Sequence, residues 1–240
     1  METYSNKDKI FLGRGKGMII LNAIKNAKES VKIVSPYLSP DYVKELINLS
    51  EKGILITLIT CDEVEINSYS DFRHSDIIKK KRIENQEAKE KKRAVKKYSM
   101  IFLLASLPFF MISVLSLLFI YLALLIIAIS LASMIYSYFI KEYSYEYYPI
   151  FRLKVFDSKS GESPRSTNLI HSKIFLVDNK ILFLGSANFT YSAFKTHYET
   201  IIKVEDLLAI NNINQEIENI FNSTELKPKS IQDWGREIYE

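Results

Sequence analysis

Residues 171–199, HSKIFLVDNKILFLGSANFTYSAFKTHYE, hold the side chains of this 240-residue chain whose types and spacing point most directly to chemistry. His171 and Lys173 are two positions apart in a segment that reads as strand, so both project to one face. An imidazole beside an ammonium serves packing poorly. Ser186 with Asn188, and then Glu199, punctuate otherwise apolar strands at their ends. Together these groups suit a phosphate site, with the imidazole as nucleophile or proton carrier. Lys173, Ser186 and Asn188 would donate to a developing dianionic phosphorane, and Glu199 would hold the imidazole tautomer. The other histidines are His74 and His197, and the carboxylates are not paired at metal-ligand spacing, so neither metal nor cofactor is expected. A zinc site shared by His171 and His197 is the competing reading of the imidazoles.

The elements that must position these groups are those of an α/β protein. Apolar residues recur at helical spacing over 18–30, and 31–34 reads as a short buried strand. Ser35-Pro36 and Ser39-Pro40 break the chain, and Asp41 is placed to cap a helix with Val43, Leu46, Ile47 and Leu49 on one face. Gly53 ends it and 54–60 is a second strand, which implies a parallel pair with a right-handed crossover. Strands are then expected at 151–156, 169–177, 181–184 and 198–204, with a polar loop at 158–167 carrying Lys159 and Arg165. A helix is expected over 207–221, and the last ten or so residues read as a weakly ordered tail.

His171-x-Lys173-x-x-x-x-Asp178, followed by Gly185-Ser186-x-Asn188-Phe189-Thr190 and then Glu199, resembles the active-site signature of the phospholipase D superfamily. The resemblance is close over 151–205. It implies an α/β fold, an α/β/α sandwich with a mixed sheet, and a covalent phosphohistidine at His171. It also implies Lys173, Ser186 and Asn188 as phosphate binders and Glu199 as the histidine's partner. Asp178 matches the acidic position of the catalytic motif, where the usual role is structural hydrogen bonding. His197 departs from the pattern, since an Asn is common there, which puts one substrate-side contact in doubt. Only one such motif is present, and His74 in SDFRHSD has no lysine two residues on, whereas the implied reaction uses two histidines. The resemblance therefore implies a homodimer, with both motifs meeting at a twofold axis.

Residues 98–140 run for 43 positions without a charged side chain, 35 of them hydrophobic. At about 1.5 Å per residue one helix of that length would be twice the ~30 Å hydrocarbon thickness, so two spans at about 100–118 and 122–140 are expected. No Gly, Pro, Asn or Asp lies between Leu115 and Leu125 to mark the reversal, which leaves one long tilted helix as the competing reading, and a buried helical pair as another. The expected organisation is an N-terminal half-domain over 1–97 ending in a basic juxtamembrane helix, a transmembrane hairpin over 98–140, and a catalytic half-domain over 141–240. Residues 79–97 carry ten basic and three acidic groups, a local +7 against +4 for the whole chain, so the remainder is net −3. That asymmetry predicts cytoplasmic flanks, and the single Cys61 suits a reducing compartment. Tyr136, Tyr138, Tyr143, Tyr145, Tyr147 and Tyr148 read as headgroup-level rings, with a β-strand as the alternative.

The expected function is a membrane-anchored phosphodiesterase acting on a phosphodiester, with phospholipid favoured by the hairpin and the net-acidic remainder. A membrane-tethered endonuclease acting on nucleic acid and a catalytically inactive membrane scaffold are the alternatives. GRGKG, residues 13–17, lacks the GxxxxGK[ST] spacing and no convincing strand precedes it, so nucleotide binding is disfavoured there.

Overall fold

A computed structural model describes residues 8–62, 76–112, 114, 116–156, 170–224 and 228–239. His74, the loop at 158–167 and residue 169 lie outside the described residues, while 170–173, expected as strand and carrying His171 and Lys173, lie before the strand, which begins at Ile174. The chain divides into two compact units, Met1–Lys80 with Tyr147–Glu240, and Lys81–Glu146.

The first unit is built on a seven-stranded mixed sheet. The strands are β1 (Lys9–Arg14), β2 (Ser30–Val34), β3 (Leu55–Cys61), β6 (Arg152–Phe156), β7 (Ile174–Val177), β8 (Ile181–Gly185) and β9 (Tyr198–Val204), in the order β1-β9-β8-β7-β2-β3-β6. β2 pairs parallel with β3 and β3 with β6, as expected of strands joined by a crossover. The remaining pairings are antiparallel. Alternate strand residues go to opposite faces. Val31, Ile33, Ile56, Leu58, Phe175 and Phe183 enter a core with Ile20 and Ile24 of α1 (Met18–Lys25), Val43 and Leu46 of α2 (Pro40–Glu51), Phe194 of α5 (Tyr191–Lys195) and Trp234 of α7 (Ile231–Tyr239). Val34, Ile59, Phe156, Leu176 and Leu182 meet Ile210 and Ile217 of α6 (Leu207–Asn222) on the other face. The expected α/β/α sandwich with a mixed sheet is thus the architecture of this unit.

Charge fixes α6 to the sheet as well. Glu218 accepts from both Arg152 guanidinium nitrogens at 2.8 and 2.6 Å and from Lys32 at 3.2 Å, and the Arg152 bonds chiefly push its carboxyl down to about 2.

Three local expectations need correction. The strand β1 precedes GRGKG after all; its edge position leaves Ile10 and Leu12 exposed, so no buried alternation advertises it. The last residues are not a loose tail but α7, which buries Trp234 and sets Gly235 against the Tyr147 ring. Ser39 rather than Asp41 stands at the N-cap position of α2, without a side-chain capping bond, and Pro40 holds the first position, where a missing N–H costs nothing.

The second unit contains α3 (Gln86–Ile112) and α4 (Leu117–Phe139), which pack together, so the apolar run is two helices and not one. The first helix ends at Ile112 and the second begins at Leu117, earlier than expected. Ser116 starts the second, its hydroxyl accepting from Leu118 N at 3.3 Å as an N-cap. The two helices are long and apolar enough to cross a membrane, and only 11% of either apolar window is buried, which excludes a core pair. What is buried is small: Ser99, Ser106, Ala123, Ser130 and Ser137. Each of those serine hydroxyls returns to a carbonyl one turn back, at 2.6 to 2.8 Å. The basic stretch is not a helix throughout, since β4 (Ile78–Glu84) precedes α3 and pairs with β5 (Tyr143–Pro149) in a two-stranded sheet. Tyr143, Tyr145, Tyr147 and Tyr148 therefore belong to a strand, and Tyr136 and Tyr138 to α4. Asn85 N donates to Glu142 O at 2.8 Å, closing the helical pair at its base.

Candidate functional site

The sheet topology brings the motif residues to one end. Ile174 opposes Leu184 across β7 and β8, so the approach to β7, with His171 and Lys173, lies beside the exit from β8, with Gly185 and Ser186. Gly185 in turn opposes Ile201, which places Ser186 at the start of β9 near Glu199, and Glu199 opposes Gly13 at the exit of β1.

Lys173 is buried, yet its ammonium lies 3.0 Å from Nδ1 and 3.2 Å from Nε2 of the exposed His171, and donates to His171 O at 2.7 Å. The tautomer decides which of the two ring nitrogens accepts from the ammonium, which has no lone pair of its own. Burial lowers the Lys173 pKa from its ordinary value, and the Glu199 carboxylate opposes that shift. Glu199 is itself buried; its Oε2 accepts the Ser186 hydroxyl proton, and Thr200 N donates to the same hydroxyl oxygen at 3.1 Å. Asn188 Oδ1 is enclosed without a hydrogen-bond partner among the described residues.

The expected pairing of Glu199 with His171 is not formed within this chain, whereas Asp178 makes the structural hydrogen bonds expected of it. Glu199 engages Ser186, and its Oε1 stands 3.9 Å from Nδ1 of His197, so the carboxylate meant for His171 is used elsewhere. Asp178 follows the far end of β7 while His171 precedes its start, so the whole four-residue strand, about 13 Å at 3.3 Å per residue, lies between them. Its carboxylate accepts from Lys28 N, Glu29 N and Ser30 N at 2.7 to 3.0 Å. Burial works against the charge, but these three N–H groups outweigh it and hold the pKa below the usual carboxylate value. Asp178 ties the β7–β8 turn to the turn before β2 and touches nothing in the site. Among the described residues no group of three or more His, Cys, Asp or Glu could hold a metal ion, and His197 stands by Glu199.

The sequence reading missed the support behind Asn188. The loop 35–39 clasps it: Phe189 N donates to Ser35 Oγ at 2.9 Å, Ser39 N to Phe189 O at 2.9 Å, and Tyr191 N to Ser39 Oγ at 2.8 Å. The Ser-Pro pairs that read only as chain breaks are a clamp. Two hydroxyls spaced to serve a distant backbone leave no local signal. A cleft of about 600 Å³ lined by Ser30, Lys32, Thr57, Arg152 and Asn179 lies at the other end of the sheet, away from every motif residue but Asp178's neighbour.

Residues 136–224 match the family described as "Cardiolipin synthase, PLD-like domain". Cardiolipin synthase 1 of Bacillus anthracis is 36% identical over 77 residues, 31% of this chain and 15% of that protein, so the chain spans a small part of that relative's length. Among solved structures, NucT from Helicobacter pylori superposes with a TM-score of 0.49 at 18% identity, over 90% of this chain and 96% of that one. Phosphatidylserine synthase of Haemophilus influenzae gives 0.44 at 14% identity, over 97% of this chain and 41% of that one.

Proposed function

We propose that this chain, whose residues 136–224 match the PLD-like domain, is a membrane-anchored phosphodiesterase of the phospholipase D superfamily that cleaves a phospholipid phosphodiester through a phosphohistidine at His171. The observation that carries the reading is the convergence of His171, buried Lys173, Ser186 and Glu199 at one end of the sheet. In the proposed reaction an unprotonated His171 nitrogen attacks phosphorus, and the ester oxygen leaves as an alcohol with a proton from a second imidazole. Water then attacks the phosphohistidine, returns a proton to that second imidazole, and releases the phosphate monoester with His171 restored. Lys173, Ser186 and the Asn188 carboxamide donate to the non-bridging oxygens as negative charge builds on them. Glu199 orients the Ser186 hydroxyl. One motif supplies one imidazole, so the other comes from a second copy in a homodimer.

The lipid preference is supported by α3 and α4, whose buried seam is serine and alanine while Phe, Leu and Ile face outward. That is the inverse of a water-soluble helical pair and suits a hydrocarbon solvent, where small residues let helices approach. Ten basic groups in 79–97 against none between the helices favour cytoplasmic flanks. The test offers detergent-purified protein phosphatidylcholine, cardiolipin, single-stranded DNA and a bis-aryl phosphodiester side by side, with and without EDTA. Chelator-resistant release from a phospholipid is expected. Cleavage of DNA alone would make the chain an endonuclease, and no turnover of any substrate would leave it a scaffold.

A further inference from the structure

The loop GRGKG has no part in the proposed reaction, yet it borders the site. Gly13 opposes Glu199 across the β1–β9 pair, at a Cβ–Cβ separation of about 5 Å for directly opposed residues, on the same side of the sheet. Each of its three glycines fixes the loop's course. Gly13 and Gly15 have φ of +137° and +69°, and a Cβ on Gly17 would fall 2.6 Å from Phe194 Cα, inside the helix that follows the GSANFT segment. Gly15 lies in ordinary contact with the Lys195 carbonyl, 3.6 Å from where its Cβ would be. The loop backbone therefore lies against α5, which sets where the backbone of its two basic residues runs.

The two basic side chains diverge. Lys16 folds back over Gly13, its Cε 3.5 Å from the position of a Gly13 Cβ, which brings its ammonium to the Glu199 side of the strand pair. Arg14 opposes Tyr198, one residue along, and so projects to the other face. Lys16 is exposed and forms no ion pair among the described residues, Glu199 included. A lysine ammonium held beside a phosphate site, with no carboxylate of its own, is a station for a second anion.

We propose that Lys16 is a specificity-determining residue that binds a second anionic group of the substrate, a phosphate one short linker away from the scissile phosphate. This rests on the reading of His171, Lys173, Ser186 and Asn188 as a phosphate site, and it uses residues outside the segment that matches the family. The enzyme then favours doubly anionic headgroups over singly anionic or zwitterionic ones.

Equilibrium binding to the full-length, detergent-purified protein tests this without turnover, using orthophosphate and propane-1,3-diol bisphosphate as probes. The bisphosphate is expected to bind about tenfold more tightly, the worth of one charge-assisted contact. Lys16→Ala should remove that advantage while orthophosphate still binds. Arg14→Ala, the same charge change on the other face, should keep it. The proposal is overturned if there is no advantage, if it survives Lys16→Ala, or if both variants lose it equally, since that would be general electrostatics. Failure of orthophosphate itself to bind would remove the phosphate site, and the subsite with it.

Discussion

Asp178 separates holding a site from doing its chemistry. The signature groups it with His171 and Lys173, but its carboxylate is committed to three backbone N–H groups at the other end of β7. Its pKa is depressed in the folded state, so its stabilisation is fully present above the unfolded carboxyl pKa, about 4, and is lost as pH falls through the lower folded value. Asp178→Asn should therefore cost about 1–2 kcal/mol at neutral pH and progressively less in acid, because hydrogen bonds to a charged acceptor are the stronger ones. Thermal unfolding of both proteins between pH 7 and pH 3 measures this, and a pH-independent difference would speak against it. The gathering of His171, Lys173, Ser186 and Glu199 at one end of the sheet was legible because residue type and spacing group them. The use of Glu199 on Ser186, rather than on His171, was not, because spacing along the chain does not say which of several neighbours a carboxylate will choose.

At the scale of elements, the approach of β8 to β9 sets the site. A Cβ on Gly185 would lie 2.0 Å from Thr200 O, the same carbonyl that accepts from Ser186 N at 3.0 Å. Gly185→Ala must part the strands or shift Ser186. We expect a loss of about 2 kcal/mol, in the range of overpacked interiors, together with loss of turnover. Unfolding and activity measured on one preparation check it, and unchanged stability would contradict the close approach. The strands with alternating or wholly apolar texture, such as β2, β3, β7 and β9, could be read in advance. β1 could not, since an edge strand with Ile10 and Leu12 in the open carries no burial pattern. α7 was hidden by its length and charge, for it is nine residues long and Trp234 is the large side chain it buries fully, with Ile231, Ile238 and Tyr239 partly buried against the core. The hairpin break was missed because Ser116 does, by capping, what was sought from glycine or proline.

For the whole molecule, one sheet takes strands from both sides of the helical pair, so those parts of the chain must share a side of any membrane that α3 and α4 cross. In a Cys61-free background, single cysteines at Lys52 and Asn222 should resist an impermeant thiol reagent in intact cells, whereas one at Val114 should react. Labelling at Lys52 but not Asn222 would break the single-sheet account. If a second copy supplies the second imidazole, excess His171→Ala subunits should depress activity per wild-type subunit after subunit exchange. Unchanged activity would mean each chain works alone. The central claim is the covalent step, and the most direct measurement is to trap it. A phosphodiester labelled at phosphorus is mixed with enzyme, quenched in alkali, and the peptides are mapped by mass spectrometry. The label should sit on His171 as an acid-labile adduct and be absent from His171→Ala. Turnover with no adduct at His171, or with the label on another residue, would contradict the phosphohistidine mechanism.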